Sequence, residues 1–422
     1  MHVLFITPTF PPLPGGGERF ARSLAMTLAK NKIDLTVVTT SATQESDLWS
    51  PRYKTKPRVR FEEEGPLRVI RCPTKKMPGG YSGLLAWRKA MVIISIFPGD
   101  QSNLLIKMAN RIPNVPDLEN TLNELGEDFS LVHGFNISWE YPMILGWKLA
   151  RQNGIPLFVT PFAHFGAKVG DRVARNSTMD HQIRILSDAD TIFALTEVEK
   201  DELVALGLNR RNISSIGSGI DPLPAINNPD QELVEFGVTS PFVIFIGRNN
   251  YDKGAIHTAM AVRQLRAQGE DISLVLIGRM APDFSRFYSR LNPNEKQGIL
   301  PLGVLSETSK HALLELSSLL VLPSRSDSFG IVLLEAWAHQ KTVIGARAGG
   351  IPSVIDHNLN GFIVDFGDVD SLADRIVQLL NDKDLCHSFA SNGQQKLKEQ
   401  YNWSTVGERV LESYRNVLID NQ

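Results

Sequence analysis

Two acids, Asp327 and Glu335, stand eight positions apart in the segment Pro323-Ser324-Arg325-Ser326-Asp327-Ser328-Phe329-Gly330-Ile331-Val332-Leu333-Leu334-Glu335-Ala336. The segment follows an apolar run and reads as the opening of a helix. A helix start presents unpaired N–H groups and the positive end of a dipole, which together attract anions. Gly330 at that point lets a ligand come close to the backbone. Were the whole interval helical, the two acids would be ~12 Å apart along the axis. That span matches the separation between the two ends of a nucleotide sugar. One carboxylate would take hydroxyls of the sugar and the other the ribose diol, since each accepts two hydroxyl hydrogen bonds. The diphosphate would lie between them at the helix start, against Ser328, Phe329, Gly330 and Ile331. The plainer reading makes Asp327 a helix cap and Glu335 a solvated helix residue.

Breaking a nucleotide–sugar bond leaves negative charge on a diphosphate, and that charge has to be stabilised as it develops. A divalent ion held by an Asp-x-Asp triplet is one means. Asp188-Ala189-Asp190 comes just before a strand, and Asp368-Val369-Asp370 opens a helix, so capping or turn bonds explain both better. Arg248 and Lys253 are the metal-free means: the first follows an apolar strand and the second lies in the next loop. As surface cations they would need no ligand. Gly15-Gly16-Gly17 follows the first strand and would let backbone N–H groups, at Gly16 and Gly17, approach a phosphate or an acceptor. His164 lies just beyond a strand end in Val159-Thr160-Pro161-Phe162-Ala163-His164-Phe165. His133 ends another strand and reads as a hydrogen-bonded core histidine.

The elements that must carry these residues are short apolar runs alternating with helical patterns, which indicates α/β architecture with parallel strands covered on both faces. In the first half the runs are His2 to Thr7, Leu35 to Thr40, Leu67 to Ile70, Leu131 to His133, Leu157 to Thr160, Thr191 to Leu195 and Ile213 to Ile216. The Pro- and Asn-rich segment from Ile220 to Asp230 reads as a linker. The pattern then restarts with Phe242 to Ile246, Leu274 to Ile277, Ile299 to Leu302, Leu319 to Leu322, Thr342 to Ile344 and Phe362 to Val364. We therefore expect two doubly wound, Rossmann-like domains, residues 1–221 and 222–404. Ligands of such sheets bind beyond the carboxyl ends of the strands, so two facing edges would form a cleft. Residues 76–128 fit the alternation least and read as an insertion near a second substrate.

Composition excludes several classes. The chain has 422 residues, of which 42% are hydrophobic and 21% charged, with a net charge of -2. That balance suits two soluble cores and gives no global grip on nucleic acid. Two cysteines, Cys72 and Cys386, rule out a disulfide framework or a cysteine zinc site and suit a cytoplasmic location. The first residues, Met1 to Ile6, read as a strand and not a signal peptide. Arg52-Tyr53-Lys54-Thr55-Lys56-Pro57-Arg58-Val59-Arg60 alternates cations with other residues. As a strand it would present five cations on one face, either a protected edge or, with Trp87, Arg88, Lys89 and the apolar run to Phe97, a peripheral membrane contact.

Taken together, these segments resemble the retaining glycosyltransferases of family 4, which have the GT-B fold. The resemblance spans nearly the whole chain. It rests on the acid-x7-acid arrangement of Asp327 and Glu335, on Gly15-Gly16-Gly17, and on Ile246-Gly247-Arg248 with Lys253-Gly254. Gly217-Ser218-Gly219-Ile220-Asp221 before the linker and Ala348-Gly349-Gly350-Ile351-Pro352 after the motif add to it. It implies a nucleotide-sugar donor, no cofactor or metal, and a glycan, lipid-linked or small-molecule acceptor. Within it, Asp327 orients the sugar, Glu335 the ribose, and Arg248 and Lys253 neutralise the diphosphate. His164 contacts the transferred sugar, and Gly16, Gly17 and Gly219 belong to the donor site. It also implies front-face substitution, in which the departing phosphate helps deprotonate the acceptor, and a last helix, 405–422, that crosses back onto the first domain. Two departures stand out: Asp327 replaces the usual Glu, and Met280 stands where a glycine is common. A nucleotide-sugar epimerase of the same architecture and a non-catalytic nucleotide-sugar-binding protein are the rival readings. A dinucleotide dehydrogenase is not, since Gly-x-Gly-x-x-Gly is absent after the first strand.

Overall fold

The computed structural model describes residues 1–52, 58–126, 128–166, 174–325 and 327–420. The chain divides into two compact units, one of residues 1–165, 170–219 and 403–422, the other of 166–169 and 220–402.

The first unit is built on eight strands: β1 (His2–Ile6), β2 (Asp34–Thr40), β3 (Arg60–Glu64), β4 (Leu67–Cys72), β5 (Leu131–Phe135), β6 (Leu157–Thr160), β7 (Thr191–Ala194) and β8 (Ile213–Ser215). Their order is β3-β4-β2-β1-β5-β6-β7-β8. The neighbours run parallel except β3, which is antiparallel to β4. The second unit has β9 (Phe242–Ile246), β10 (Ser273–Ile277), β11 (Ile299–Gly303), β12 (Leu319–Leu322), β13 (Thr342–Ala346) and β14 (Phe362–Val364), in the order β11-β10-β9-β12-β13-β14 and parallel throughout. All five residues of β9, Phe-Val-Ile-Phe-Ile, are buried, as helices on both faces of a parallel sheet require. Each such Phe or Ile withdrawn from water contributes about 1.5–3 kcal/mol.

In both sheets the strand order reverses beside the first strand of the unit: between β1 and β5, and between β9 and β12. At such a switch point the loops leaving two adjacent strands diverge to opposite faces and leave a crevice at the carboxyl edge.

Arg60–Glu64 is a strand that the alternation of apolar runs does not reveal, because it is an exposed edge strand. A turn at Gly65, in the left-handed region (φ 61°), folds it back on β4. Arg71 of β4 then sits between Glu62, 2.6 Å away, and Glu64. The expected five-cation strand over 52–60 falls mostly on residues that are not described. Residues 53–57 lie outside the described residues, Arg52 and Arg58 are in no strand, and β3 begins only at Arg60. The acids that follow Arg60 win the pairing with β4 because Arg71 needs partners at 3% exposure.

The expected insertion forms helices Gly80–Ile96, Ser102–Ala109 and Leu118–Leu125, whose Met91, Leu105 and Leu122 join the first unit's core. Helix Gly80–Ile96 leaves Tyr81, Leu85, Ile93 and Ile96 exposed. No helix among the described residues is long and apolar enough to cross a membrane. The final helix, Trp403–Asp420, belongs to the first unit. Its Tyr414 is fully buried with its hydroxyl 2.6 Å from His133 Nδ1, and Arg409 donates to the Ile216 carbonyl at 3.0 Å.

Candidate functional site

The loops that leave β9 and β12 straddle the second unit's switch point, and they are laced together. Gly254, left-handed at φ 84°, caps helix Ala255–Ala267, and a Cβ there would overlap the Pro323 carbonyl. Arg325 donates to Asp252 through its side chain at 2.7 and 2.9 Å and through its backbone N–H at 2.9 Å. The Lys253 ammonium lies 2.7 Å from Asp327 Oδ1, both side chains being partly exposed. Asp327 is also gripped from the third loop: its carbonyl accepts from the Gly350 N–H at 2.8 Å, and Gly349 (φ 56°) lies against its backbone. Arg248 is exposed just past the carboxyl end of β9.

Helix Ile331–Ala338 starts at Gly330, left-handed at φ 87°, and no side chain caps it. Asp327 is therefore not the helix cap, and the interval from Asp327 to Glu335 is helical only in its second part. The expected axial rise over eight helical residues does not apply. Ser328, Phe329 and Gly330 form a loop; Phe329 is buried and packs edge-on against Tyr401 at 5.3 Å. This leaves Lys253, Asp327 and an uncapped helix start on adjoining loops, an arrangement suited to an anion flanked by hydroxyls.

Glu335 is not a solvated helix residue. It is 2% exposed, and its Oε1 accepts from the Lys310 ammonium at 3.0 Å. Lys310 also reaches Glu307 at 2.8 Å. Beside this group, His311 Nδ1 and His339 Nε2 are 2.9 Å apart. Burial pushes the His311 imidazole down to about 4 and lowers His339 as well, so both rings are neutral near pH 7. Among the described residues Glu307, His311 and Glu335 bring one donor atom each within 4.8 Å of one another, a set that suits a metal ion. An ammonium already lies against both acids.

The two Asp-x-Asp triplets are engaged in local bonds. Asp188 accepts from Trp147 at 3.0 Å and Arg151 at 2.7 Å, and Asp190 from the Leu157 N–H at 2.8 Å. Asp368 caps helix Val369–Asn381 through the Ser371 N–H at 3.0 Å. Met280 pairs with Asn249 in an isolated bridge, and Gly278 (φ 134°) lies against the Gly247 carbonyl.

In the first unit, Gly16 and Gly17 open helix Gly16–Lys30, which has no side-chain cap. A Cβ at Gly17 would be 3.3 Å from the Phe162 ring, so the glycine loop packs on the loop that carries His164. His164 is partly exposed and lines a cavity of about 270 Å³ with Asn136, Ser138, Trp139, Asn176 and Ser177. His133 is fully buried between Tyr414 and Thr160, held neutral by burial, and is a core residue. The space beside Gly219 is taken by Trp403, whose ring a Cβ would meet at 2.6 Å. Sequence reading missed Lys310 and Glu199. Glu199 accepts the Ala163 N–H, next to His164, at 2.8 Å, and the signal available for it was Thr196 three positions earlier.

With this geometry in view, comparison with known proteins is decisive for the family. Residues 230–396 match the profile described as glycosyl transferases group 1, and residues 15–219 match the glycosyl transferase 4-like domain. The chain belongs to the family 4 glycosyltransferases. Among curated members, the alpha-maltose-1-phosphate synthase of Mycolicibacterium smegmatis is 28% identical over 250 residues, covering 54% of this chain and 64% of that protein. The N-acetyl-alpha-D-glucosaminyl L-malate synthase of Bacillus anthracis is 28% identical over 240 residues, covering 56% and 61%. The aligned parts thus span under two thirds of these relatives' own length. Among solved structures, sucrose-phosphate synthase from Thermosynechococcus elongatus matches with a TM-score of 0.74 at 18% identity over 99% of both chains. Anabaena HepE in complex with UDP-glucose gives 0.69 at 16%, over 99% of this chain and 100% of its own. The fold of this family member is GT-B, two α/β units, the first sheet parallel except at its edge strand β3 and the second parallel throughout.

Proposed function

We propose that this chain transfers a sugar from a nucleoside-diphosphate sugar to an acceptor hydroxyl, with retention of anomeric configuration and without a metal ion. The observation that carries this reading is the 2.7 Å pairing of Lys253 with Asp327 on adjoining loops at the second unit's switch point, beside an uncapped helix start. The family membership and the UDP-glucose bound to Anabaena HepE support a nucleotide-sugar donor.

Lys253, Arg248 and the first amides of helix Ile331–Ala338 hold the diphosphate. Lys253 turns from Asp327 to phosphate, and the Asp327 carboxylate accepts sugar hydroxyls. Glu335, held by the Lys310 ammonium at 3.0 Å, takes the ribose, and His164 contacts the transferred sugar. The bond from C1 to the phosphate oxygen breaks, the acceptor oxygen bonds C1 on the same face, and its proton passes to the departing phosphate. Cations and peptide dipoles balance the charge that develops there. The acceptor is a glycan, a lipid-linked sugar or a small hydroxylated molecule met in the cytoplasm. A lipid-linked acceptor would meet the exposed Tyr81, Leu85 and Ile96 of helix Gly80–Ile96.

The test incubates the protein with UDP-, GDP- and ADP-sugars and a panel of acceptors in EDTA, with the products followed by NMR. A glycoside of the donor's own anomeric configuration is expected, with free nucleoside diphosphate. An inverted product, an epimerised free sugar, or turnover that appears only with added divalent ion would overturn the reading.

A further inference from the structure

We propose that Glu199 is a positioning residue for His164, a clamp that fixes the backbone of the loop after β6; this rests on the reading of His164 as a substrate-contacting residue. Glu199 lies in the first turn of helix Glu197–Ala205, three residues after Thr196. Thr-x-x-Glu is the pattern of a capping box, in which the acid returns to the cap residue's own N–H. Here only half of the box forms. The Thr196 hydroxyl accepts from the Glu199 N–H at 3.1 Å. The Glu199 carboxylate divides its two oxygens between its own turn and the loop after β6: Oε2 accepts from the Leu195 N–H, one residue before the cap, at 2.7 Å, and Oε1 from the Ala163 N–H at 2.8 Å.

Glu199 is 3% exposed. A buried carboxylate costs more than a capping residue needs, so its use here calls for a reason. The loop supplies one. Phe162, directly before Ala163, has φ 50°, a left-handed conformation that a bulky residue holds only when its surroundings impose it. The Phe162 ring is wedged edge-on against Phe20 at 5.5 Å and against Gly17. The Ala163 N–H is pinned from the other side by Glu199. The next residue is His164, which faces the cavity shared with Asn136, Ser138 and Ser177. Ring and backbone are thus held separately, and His164 leaves the loop from a fixed point. A misplacement of about 1 Å at such a group can cost about 10²-fold in rate.

Glu199→Gln keeps the volume but offers one acceptor oxygen and turns an NH₂ towards the second N–H. Amide hydrogen exchange on the full chain reads the clamp directly. Exchange over residues 161–165 is expected to rise at least tenfold in Glu199→Gln, with helix Gly16–Lys30 unchanged. In turnover, kcat is expected to fall 10- to 100-fold while KM for the nucleotide sugar stays within twofold. The double variant His164→Ala/Glu199→Gln is expected to be no slower than His164→Ala alone, because both changes remove the same contribution. Unchanged exchange over 161–165 would overturn the clamp. Raised exchange with wild-type kcat, or a double variant slower by the product of the two single effects, would overturn the positioning role. Absence of turnover in the unaltered protein with every nucleotide sugar would count against the proposed function alone, since the exchange arm needs no substrate.

Discussion

At the scale of single residues, the paired charges of the second unit and the buried Glu199 of the first decide what each substitution does. Lys253→Ala removes the cation that faces both Asp327 and the expected diphosphate, so kcat should fall by about 10²-fold, as when one preorganised donor is lost from a charge-stabilising site. Steady-state rates on a folded variant check this. Glu335→Ala has two effects because Glu335 is buried against Lys310. On the proposed function it strips the ribose of its acceptor, and it leaves the Lys310 ammonium with Glu307. The donor KM should rise about tenfold, and stability should fall by about 3 kcal/mol, the cost of breaking a buried ion pair. Kinetics and a urea titration on the same sample read the two effects apart. Glu199 gives a pH signature. Burial raises its carboxyl from 4.5 to about 7. The folded chain therefore keeps a proton that the unfolded chain has released between those values. That stabilisation is complete below 4.5 and gone once pH passes about 7, with an upper bound of ~3 kcal/mol. The wild-type urea midpoint should fall from pH 5 to pH 7.5, and Glu199→Gln should lose that part of the decline. An equal slope in both proteins would contradict it.

At the scale of elements, the loops at the carboxyl edge depend on left-handed glycines, Gly254 among them. Gly254→Ala puts a methyl group into the Pro323 carbonyl at a backbone angle that alanine resists, and Lys253 is its neighbour. The melting temperature should drop by several degrees and kcat should fall with it; a variant with both unchanged would show that the two loops are not coupled. The residues explain what was legible here. Phe242 to Ile246 and Leu319 to Leu322 stand out in the sequence because strands buried on both faces have no polar alternation to blur them. Arg60–Glu64 does not stand out, since an edge strand of charged residues takes its pairing from a neighbour and not from its own pattern. The acid pair 327 and 335 was legible by type and spacing, but its setting was not. Gly330 delays the helix, and Lys310, a distant lysine with no local signal, decides that Glu335 is buried. Glu199 was hidden because its Thr-x-x-Glu context has an ordinary local explanation.

At the scale of the whole molecule, the chain leaves the first unit after Gly219 and returns to it at Trp403. Val406, Val410, Leu411 and Tyr414 of the last helix are buried, each contributing about 1.5–3 kcal/mol. A chain ending at residue 402 should therefore lose most of the first unit's stability, seen as a melting temperature lower by about 10 °C or more, or as loss of cooperative unfolding. Sequence patterning revealed both α/β halves because each repeats the same burial logic, while the return of the last helix came only through family resemblance. The account as a whole depends on a diphosphate balanced by protein cations and peptide dipoles at the switch point of the second sheet. Calorimetric titration with UDP, GDP and ADP in EDTA tests this most directly, on the wild type, Arg248→Ala and Lys253→Ala. The account predicts that one of the three diphosphates binds the wild type without metal and that each variant weakens it at least tenfold. Equal affinity in all three proteins, or binding that requires a divalent ion, would contradict it.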